Sequence, residues 1–221
     1  MNTIHEDAKF SAGRRRFMTG TAGLTFAVSV GVPEWFVAGA AAQSAAKKVT
    51  VNPYVTLTTD GTVYIMSPAA EMGQGSLTSL PRIVADEMDA DWSKVTIVPA
   101  PPDNKLYGNP AFGGLQYTAG SATVRGYFAT LRQFGAQVRY VLMDNAARHW
   151  NVPLAELTTI PSVVLHEKSG RKLTYGEIAQ FAQIPAEAPQ IALEPLETKE
   201  FRLVGKDIGR IDVPSKVNGS C

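Results

Sequence analysis

The sequence has very little cysteine: of its 221 residues only the last, Cys221, carries a thiol. One thiol cannot form an internal disulfide, and it cannot hold a zinc ion or an iron–sulfur cluster without further cysteines. Histidine is also scarce, since His5, His149 and His166 are scattered and none has a metal-binding spacing. The sequence therefore predicts no metal ligands in this chain.

An excess of charge of one sign is missing too, because 21 basic and 20 acidic residues leave a formal net charge of +1. No basic cluster is interleaved with aromatic residues, so nothing in the sequence favours a nucleic-acid partner. With 45% hydrophobic and 19% charged residues, the composition is that of an ordinary globular protein rather than a disordered or fibrous one.

Residues 1–46 lack the long apolar run of a strong membrane helix, because glycine, threonine and serine interrupt it. They have instead the pattern of a twin-arginine export signal: Arg14 and Arg15 precede Phe17, and small residues suited to a signal peptidase follow. This pattern predicts a periplasmic protein that crosses the membrane already folded, often because a cofactor is inserted in the cytoplasm. An uncleaved N-terminal anchor is the alternative interpretation.

Residues 47–184 begin with strand-like patterns. The stretch YVTLTTDGTVYIMSP has two β-branched runs joined by Asp60-Gly61, which predicts a β-hairpin. KVTIVPA, further along, predicts another strand. These segments indicate a short mixed sheet.

Between those strands, SLTSLPRIVADEMDA has apolar residues at helical spacing. Its proline leaves two alternatives for the helix start. Either the helix begins near Ser79, with Pro81 in the undemanding first turn, or it begins at Ser76 and kinks. The segment at 100–116 is rich in proline and glycine and is predicted to be a loop that another surface covers.

The clearest predicted element is one long helix from Ser121 to about Trp150. Apolar or small residues recur there at steps of three and four, which predicts one buried stripe made of Val124, Phe128, Leu131, Gly135, Val138, Leu142 and Ala146. Arg125, Arg132 and Arg139 form a parallel row seven residues apart. We expect this row to be a solvated flank; a surface for an acidic partner or subunit is the alternative.

Beyond the helix, SVVLHEKSGRKLTYGEIAQFA predicts a strand, a tight turn at Ser169-Gly170, a second extended piece and a short helix. Helices and strands in this order fit an α+β domain. Residues 185–221 lose periodicity, carry many prolines and charges, and show no closing strand or helix. We expect them to form an extended, truncated tail.

Two glycine-rich segments are candidate binding sites. In the first, Gly73-Gln74-Gly75 lies between a strand pattern and a helix pattern. Glycine allows positive φ and lets a ligand touch the main chain, and the Gln74 amide offers both donors and an acceptor. The helix that follows would present free N–H groups to a phosphate. Alone, such a segment is more often only a tight turn.

The second segment, FGGLQYTAGSATVRGY, again places glycines and hydroxyls directly before a helix. Helix capping explains one hydroxyl among Thr118, Ser121 and Thr123 but not readily the whole cluster. Neither segment has a P-loop or a Rossmann fingerprint, so those nucleotide folds are disfavoured.

Together, AEMGQGSLTSLPRIVADEMDADWSKVTIVPAP and GGLQYTAGSATVRGYFATLRQFGAQVR resemble the molybdopterin-binding large subunits of the xanthine dehydrogenase superfamily. The isoquinoline-oxidoreductase beta-subunit and membrane-bound aldehyde dehydrogenase branch is the most similar. The resemblance covers about residues 50–219. It implies a molybdenum-cofactor-binding domain portion that oxidises aldehydes or N-heterocycles as part of a complex, with water as the oxygen source.

The resemblance also implies a set of site residues and partners. The cofactor would be molybdenum-molybdopterin cytosine dinucleotide, held by Gly73, Gln74, Gly75, Thr118, Gly120, Ser121 and Thr123. A small iron–sulfur subunit and a cytochrome c subunit with haem would relay the electrons, and a partner would associate the complex with the inner membrane.

One feature of the family has no counterpart in this sequence. Family large subunits are several times longer, and their catalytic glutamate lies near the far C-terminus, so no catalytic residue can be assigned here. Glu71 adjoins the first segment, but a carboxylate beside a turn is expected to be solvated. We therefore expect the chain alone to be inactive. A non-catalytic exported binding or assembly subunit is the alternative, and a quinone-dependent dehydrogenase is disfavoured because propeller repeats are missing.

Overall fold

The computed structural model describes residues 46–220, so the predicted export signal at Arg14, Arg15 and Phe17 lies outside the described residues. The described part has mixed helix and strand content with two small sheets, which confirms the predicted α+β class. Its elements are β1 Lys48–Asn52, β2 Val55–Thr58, β3 Val63–Ser67, α1 Ser76–Glu87, β4 Val95–Pro99, α2 Asn104–Tyr107, α3 Thr123–Trp150, β5 Leu157–Ile160, β6 Val163–His166, β7 Arg171–Thr174, α4 Tyr175–Phe181 and α5 Val213–Asn218.

The first sheet has the strand order β1-β2-β3-β4. The predicted hairpin is confirmed as the antiparallel pair β2–β3, and Asp60 closes its turn by accepting a hydrogen bond from the Thr62 amide at 2.9 Å. β4 runs parallel to β3, because α1 carries the chain back across the sheet. β1 was not predicted, since its five residues are too short a pattern to separate from the flanking loop.

α1 begins at Ser76 and continues through Pro81, so the earlier of the two predicted starts is confirmed. Proline forgoes one backbone hydrogen bond of the helix. The predicted apolar face packs into the core, where Leu80, Val84 and Met88 are fully buried, whereas Leu77 is half-buried.

α3 is the predicted long helix, and its 28 residues cross the face of α1. Gly135 lies where the two helices touch: a Cβ at this position would stand 2.6 Å from the Val84 carbonyl oxygen, closer than any side chain allows. The predicted stripe is buried from Leu131 onward but wrong in the first turn. Val124 is 44% exposed, and Tyr127 takes its place in the core, with its hydroxyl donating to the Tyr107 carbonyl at 2.7 Å.

The arginine row of α3 is not a uniformly solvated flank, and that prediction is wrong at Arg132. This side chain is buried and pairs with Glu87 of α1, while Arg125 remains exposed. Lys199 approaches the same carboxylate at 3.6 Å, so two cations share one buried anion. A buried charge requires such partners, and the tertiary fold provides them from another helix and from the tail.

The second sheet has the order β5-β6-β7, with the predicted turn at Ser169-Gly170 confirmed between its last two strands. α4 follows directly and begins with a capping box between Thr174 and Glu177. The buried Tyr175 hydroxyl donates to the Met88 carbonyl at 2.5 Å. This bond joins the start of α4 to the end of α1.

The tail after residue 184 is extended but packs on the domain. Both oxygens of the Asp86 carboxylate accept hydrogen bonds from tail amides, at 3.0 Å from Arg202, 2.9 Å from Leu203 and 2.7 Å from Val204. The prediction of no closing helix is wrong, because Val213–Asn218 forms α5. Within residues 46–220, no helix is both long and apolar enough to cross a bilayer.

Candidate functional site

The two glycine-rich segments lie side by side. The Thr118 hydroxyl of the second segment accepts a hydrogen bond from the Ala70 amide of the first at 3.3 Å. Gln116 adds a second link, since its side-chain amide donates to the Pro68 carbonyl at 3.0 Å. The two segments are therefore adjacent in the fold.

The Glu71 side chain binds backbone amides of the first segment and of the helix start that follows it. One of its carboxylate oxygens accepts from the amides of Gly73 and Gly75 at 2.8 and 2.9 Å, and the other accepts from the Leu77 amide at 2.9 Å. The side chain is only 10% exposed, so the expectation of a solvated carboxylate is wrong. Burial alone would raise the pKa of Glu71, but the three amide donors and the guanidinium of Arg210 outweigh it and hold the pKa below its usual range.

The amide of Gln74 is also engaged within the turn. Its oxygen accepts from the Met72 amide at 2.6 Å, and its nitrogen donates to the Ala70 carbonyl and the Ser76 hydroxyl, each at 2.7 Å. In this conformation the Gln74 amide stabilises the turn from within through three hydrogen bonds.

Gly73 and Gly75 both require glycine for conformational reasons, because their φ angles are 103° and 85°. Their surroundings differ. Among the described residues, no atom lies within 4 Å of where a Cβ of Gly73 would stand, whereas at Gly75 the side chain of Arg210 lies 3.6 Å away. Space for a ligand therefore adjoins Gly73.

The second segment has fewer internal contacts of this kind. Gly120 and Ser121 are consecutive residues with φ of 57° and 51°, and Ser121 adopts this left-handed conformation while its side chain faces solvent. Within residues 46–220, no atom lies within 4 Å of a Cβ placed on Gly113, Gly114 or Gly120. The main chain of this segment is thus open on its glycine side.

The start of α3 is suited to an anion. No side chain of the described residues caps the helix at Ala122, and its first turn contains no acidic residue. Thr123 is buried at the helix start, and the exposed Arg125 adds a positive charge in the same turn. A long helix without a cap presents amide donors and the positive end of its dipole. At the start of α1, by contrast, the Leu77 amide already donates to the Glu71 carboxylate.

Sequence reasoning identified the two segments but missed the residues that organise the first one. Glu71 and Arg210 act on the turn from opposite sides, and Arg210 lies in the tail, 137 positions beyond Gly73. No local pattern marks such a contact. Among the described residues, no group of three or more histidine, cysteine, aspartate or glutamate side chains is placed to hold a metal ion.

The comparisons with known proteins concern the same stretch of chain. A family described as "Molybdopterin cofactor-binding domain" matches residues 5–203. The beta subunit of isoquinoline 1-oxidoreductase from Brevundimonas diminuta is 40% identical over 240 aligned residues, which cover 93% of this chain and 30% of that protein. The membrane-bound aldehyde dehydrogenase [pyrroloquinoline-quinone] of Gluconacetobacter polyoxogenes is 34% identical over 167 residues, covering 73% of this chain and 20% of that protein.

Two further similarities are with proteins of Pseudomonas putida. The B subunit of nicotinate dehydrogenase from strain KT2440 is 29% identical over 170 residues, which cover 75% of this chain and 13% of that protein. The crystal structure of quinoline 2-oxidoreductase from strain 86 aligns with a TM-score of 0.43 and 19% identity, over 60% of this chain and 15% of that chain. The chain spans less than a third of the length of each curated relative it matches.

Proposed function

The chain belongs to the molybdopterin cofactor-binding domain family, and on that basis we propose that it forms part of the cradle for a molybdenum-molybdopterin cytosine dinucleotide. The enzyme would be an exported oxidoreductase that acts on aldehydes or N-heterocycles. The names of three relatives, an isoquinoline oxidoreductase, an aldehyde dehydrogenase and a nicotinate dehydrogenase, support these two substrate classes.

The observation that carries the proposal is the contact between the two glycine-rich segments. The bond from the Ala70 amide to Thr118 and the bond from Gln116 to the Pro68 carbonyl keep the segments adjacent. A pyranopterin joined to a nucleotide is long and carries its charge on a central pyrophosphate, so it needs two adjoining subsites of different character.

The residues divide naturally between those subsites. Thr118, Gly120, Ser121 and Thr123 surround the uncapped start of α3 and would bind the pyrophosphate through hydroxyl and amide donors. Gly73-Gln74-Gly75 would contact the pterin through the main chain, because the Gln74 side chain is bound within its own turn. Beyond its chain neighbours, no described atom lies within 4 Å of a Cβ placed on Gly73, so a ring would meet no side chain at this point of the main chain.

When bound, the cofactor supplies the two-electron oxidation in which water oxygen enters the substrate carbon. This chain's residues would orient the cofactor and neutralise its phosphate charge, and they include no assigned general base. Further polypeptide would complete the catalytic site, and an iron–sulfur subunit and a cytochrome c subunit would accept the electrons. Two relatives are named as the beta or the B subunit of their enzymes, which supports a complex of several chains.

The test introduces a negative charge at position 121, next to the proposed pyrophosphate site. The full chain would be purified with its partner subunits from cells that make the cofactor, and molybdenum and acid-released cytidine monophosphate would be measured. Ser121→Asp places an anion at the start of α3, which stabilises the helix but repels phosphate. Ser121→Asn is the matched control, because asparagine is neutral and tolerates the left-handed conformation.

We expect wild type and Ser121→Asn to contain molybdenum and cytidine monophosphate in equal amounts, and Ser121→Asp to lose both by about tenfold or more, as about 1.4 kcal/mol of repulsion requires. Equal contents in the two variants would remove the pyrophosphate assignment. The name of the aldehyde dehydrogenase relative also includes pyrroloquinoline-quinone. Wild-type complex that contains this quinone and no molybdenum would replace the proposal, and complex with neither would favour a non-catalytic binding or assembly subunit.

A further inference from the structure

The side chain of the tail residue Arg210 makes hydrogen bonds to the first glycine-rich turn and to Glu71, and we call these bonds the clamp. One terminal nitrogen of its guanidinium donates to the Gly73 carbonyl at 2.8 Å, and the other lies 3.3 Å from an oxygen of Glu71. That oxygen is the one that accepts from the amides of Gly73 and Gly75. The turn is therefore held from both directions, by a carboxylate that binds its amides and by a cation that binds its carbonyl.

A second carboxylate orients the guanidinium. Asp212 accepts from Arg210 at 3.0 Å and 2.6 Å with its two oxygens, and the latter oxygen also accepts from Lys216 at 2.6 Å. These hydrogen bonds hold the pKa of the Asp212 carboxyl well below its usual range. A planar guanidinium bonded on two sides to carboxylates has a defined direction, which a flexible ammonium would lack.

The main chain around Arg210 is itself fixed to α1. The amide of Ile211 donates to the buried Thr78 hydroxyl at 3.1 Å, and Arg82 donates to the Ile208 carbonyl at 2.8 Å. Both partners lie on α1, the helix that begins directly after the turn. Arg210 therefore reaches the turn from a segment whose position is set by the same helix.

From this geometry we propose that Arg210 is a positioning residue for the Gly73-Gln74-Gly75 turn, and that the tail segment 208–216 is consequently part of the cofactor site. The first half of this inference concerns the turn alone. The second half rests on the proposed function, because it requires that the turn contacts the cofactor.

The experiment compares two tail arginines, one whose side chain binds the chain just before α1 and one whose side chain binds the chain just after it. Arg210→Met removes the clamp on the turn while retaining much of the side chain's apolar stem. Arg202→Met is the matched control, because Arg202 pairs with Asp89 and the Ala90 carbonyl at the opposite end of α1 and does not touch the turn. Amide hydrogen exchange of a peptide covering residues 72–77 would be followed in the full chain within its complex, together with molybdenum content.

We expect exchange of this peptide to be about tenfold faster in Arg210→Met and unchanged in Arg202→Met, because only the first variant frees the turn for local opening. Arg210→Lys, which keeps the charge but not the fork, should restore part of the protection. Equal acceleration in both methionine variants, or none in Arg210→Met, overturns the assignment. The exchange comparison does not depend on the cofactor, so it stands even if wild-type complex contains no molybdenum.

Molybdenum content tests the second half of the inference. Under the proposed function, Arg210→Met should lose the metal by at least several-fold while Arg202→Met retains it. A wild-type molybdenum content in an Arg210→Met complex with fast turn exchange would overturn the link between tail and cofactor while leaving the clamp intact.

Discussion

The two glycine-rich segments have similar compositions and opposite electrostatic organisation. In the first, the side chains of Glu71, Gln74 and Arg210 make hydrogen bonds to the main chain of the turn. The Glu71 carboxylate also accepts from the Leu77 amide at the start of the following helix. In the second, Gly120 and Ser121 lead into a helix whose start has no side-chain cap. The difference shows that a glycine-rich turn before a helix is not by itself an anion site.

The two segments differ because only the first has a carboxylate, that of Glu71, bound to its backbone amides; we call this carboxylate the internal anion. A carboxylate placed shortly before a helix occupies an amide that a phosphate would use, whereas at α3 no described side chain makes a cap at Ala122 and the first amides stay available. Under the proposed function, the first segment would therefore contact a neutral ring through its main chain, and the second would bind the charged group. The following variants test that division, beginning with the largest expected effect.

Removing the internal anion should affect only the first segment. Glu71→Ala leaves the amides of Gly73, Gly75 and Leu77 without their acceptor, which should reduce the free energy of unfolding by about 3 kcal/mol. Ser121→Ala, the control in the open segment, should change it by less than about 0.5 kcal/mol. Urea unfolding of the full chain measures both, and similar losses in the two variants would contradict the division into closed and open segments.

Adding a methyl group should distinguish the backbone conformations of the segments. Gly73 has φ of 103°, outside the left-handed region that other residues tolerate, whereas Gly120 has φ of 57°, within that region. Gly73→Ala should therefore cost about 2 kcal/mol of unfolding free energy and Gly120→Ala about 1 kcal/mol. Neither Cβ meets a neighbouring described atom, so urea unfolding reports backbone strain alone. A larger loss in Gly120→Ala would refute this ranking.

The role of Gln74 gives a smaller effect. Its amide makes three hydrogen bonds, all within an exposed turn, so Gln74→Ala should lower the free energy of unfolding by about 1 kcal/mol. Gln74→Glu is the comparison, because it keeps the acceptor but loses both donors. Thermal unfolding should rank wild type first and both variants lower. A variant as stable as wild type would show that Gln74 does not hold the turn.

The smallest expected effect is a pH dependence confined to the first segment. The pKa of Glu71 is lower in the folded protein than in the unfolded chain, where it is about 4.3. Its stabilisation is therefore present above that pH and disappears as pH falls through the lower, folded value. The difference in urea midpoint between wild type and Glu71→Gln should shrink below about pH 4. A difference that stays constant down to about pH 3 would contradict the lowered pKa.

Local sequence patterns predicted the elements whose signals are contained within a few residues. The hairpin at Asp60-Gly61, the turn at Ser169-Gly170 and the long helix ending at Trp150 all follow from such signals. The strands β1 and β5 were missed, because four or five residues give too little alternation.

Features that depend on distant partners were not predictable from a pattern. Arg132 looked like part of a solvated row because its partner Glu87 lies on another helix. The site behaves likewise: the two segments were recognised from glycines and hydroxyls, but the enclosure of Glu71 depends partly on Arg210 in a tail without periodicity. Which turn is closed and which is open is decided by tertiary contacts.

The close contact at Gly135 has a consequence for the whole arrangement. Since this residue lets the Val84 carbonyl of α1 approach α3, it sets how far apart the axes of the two helices run. Each helix follows directly after one of the glycine-rich segments. The distance between the segments therefore depends on a contact in the interior of the domain. A single methyl group added at Gly135 would push α1 and α3 apart, and this displacement would increase the distance between the two segments at the starts of the helices.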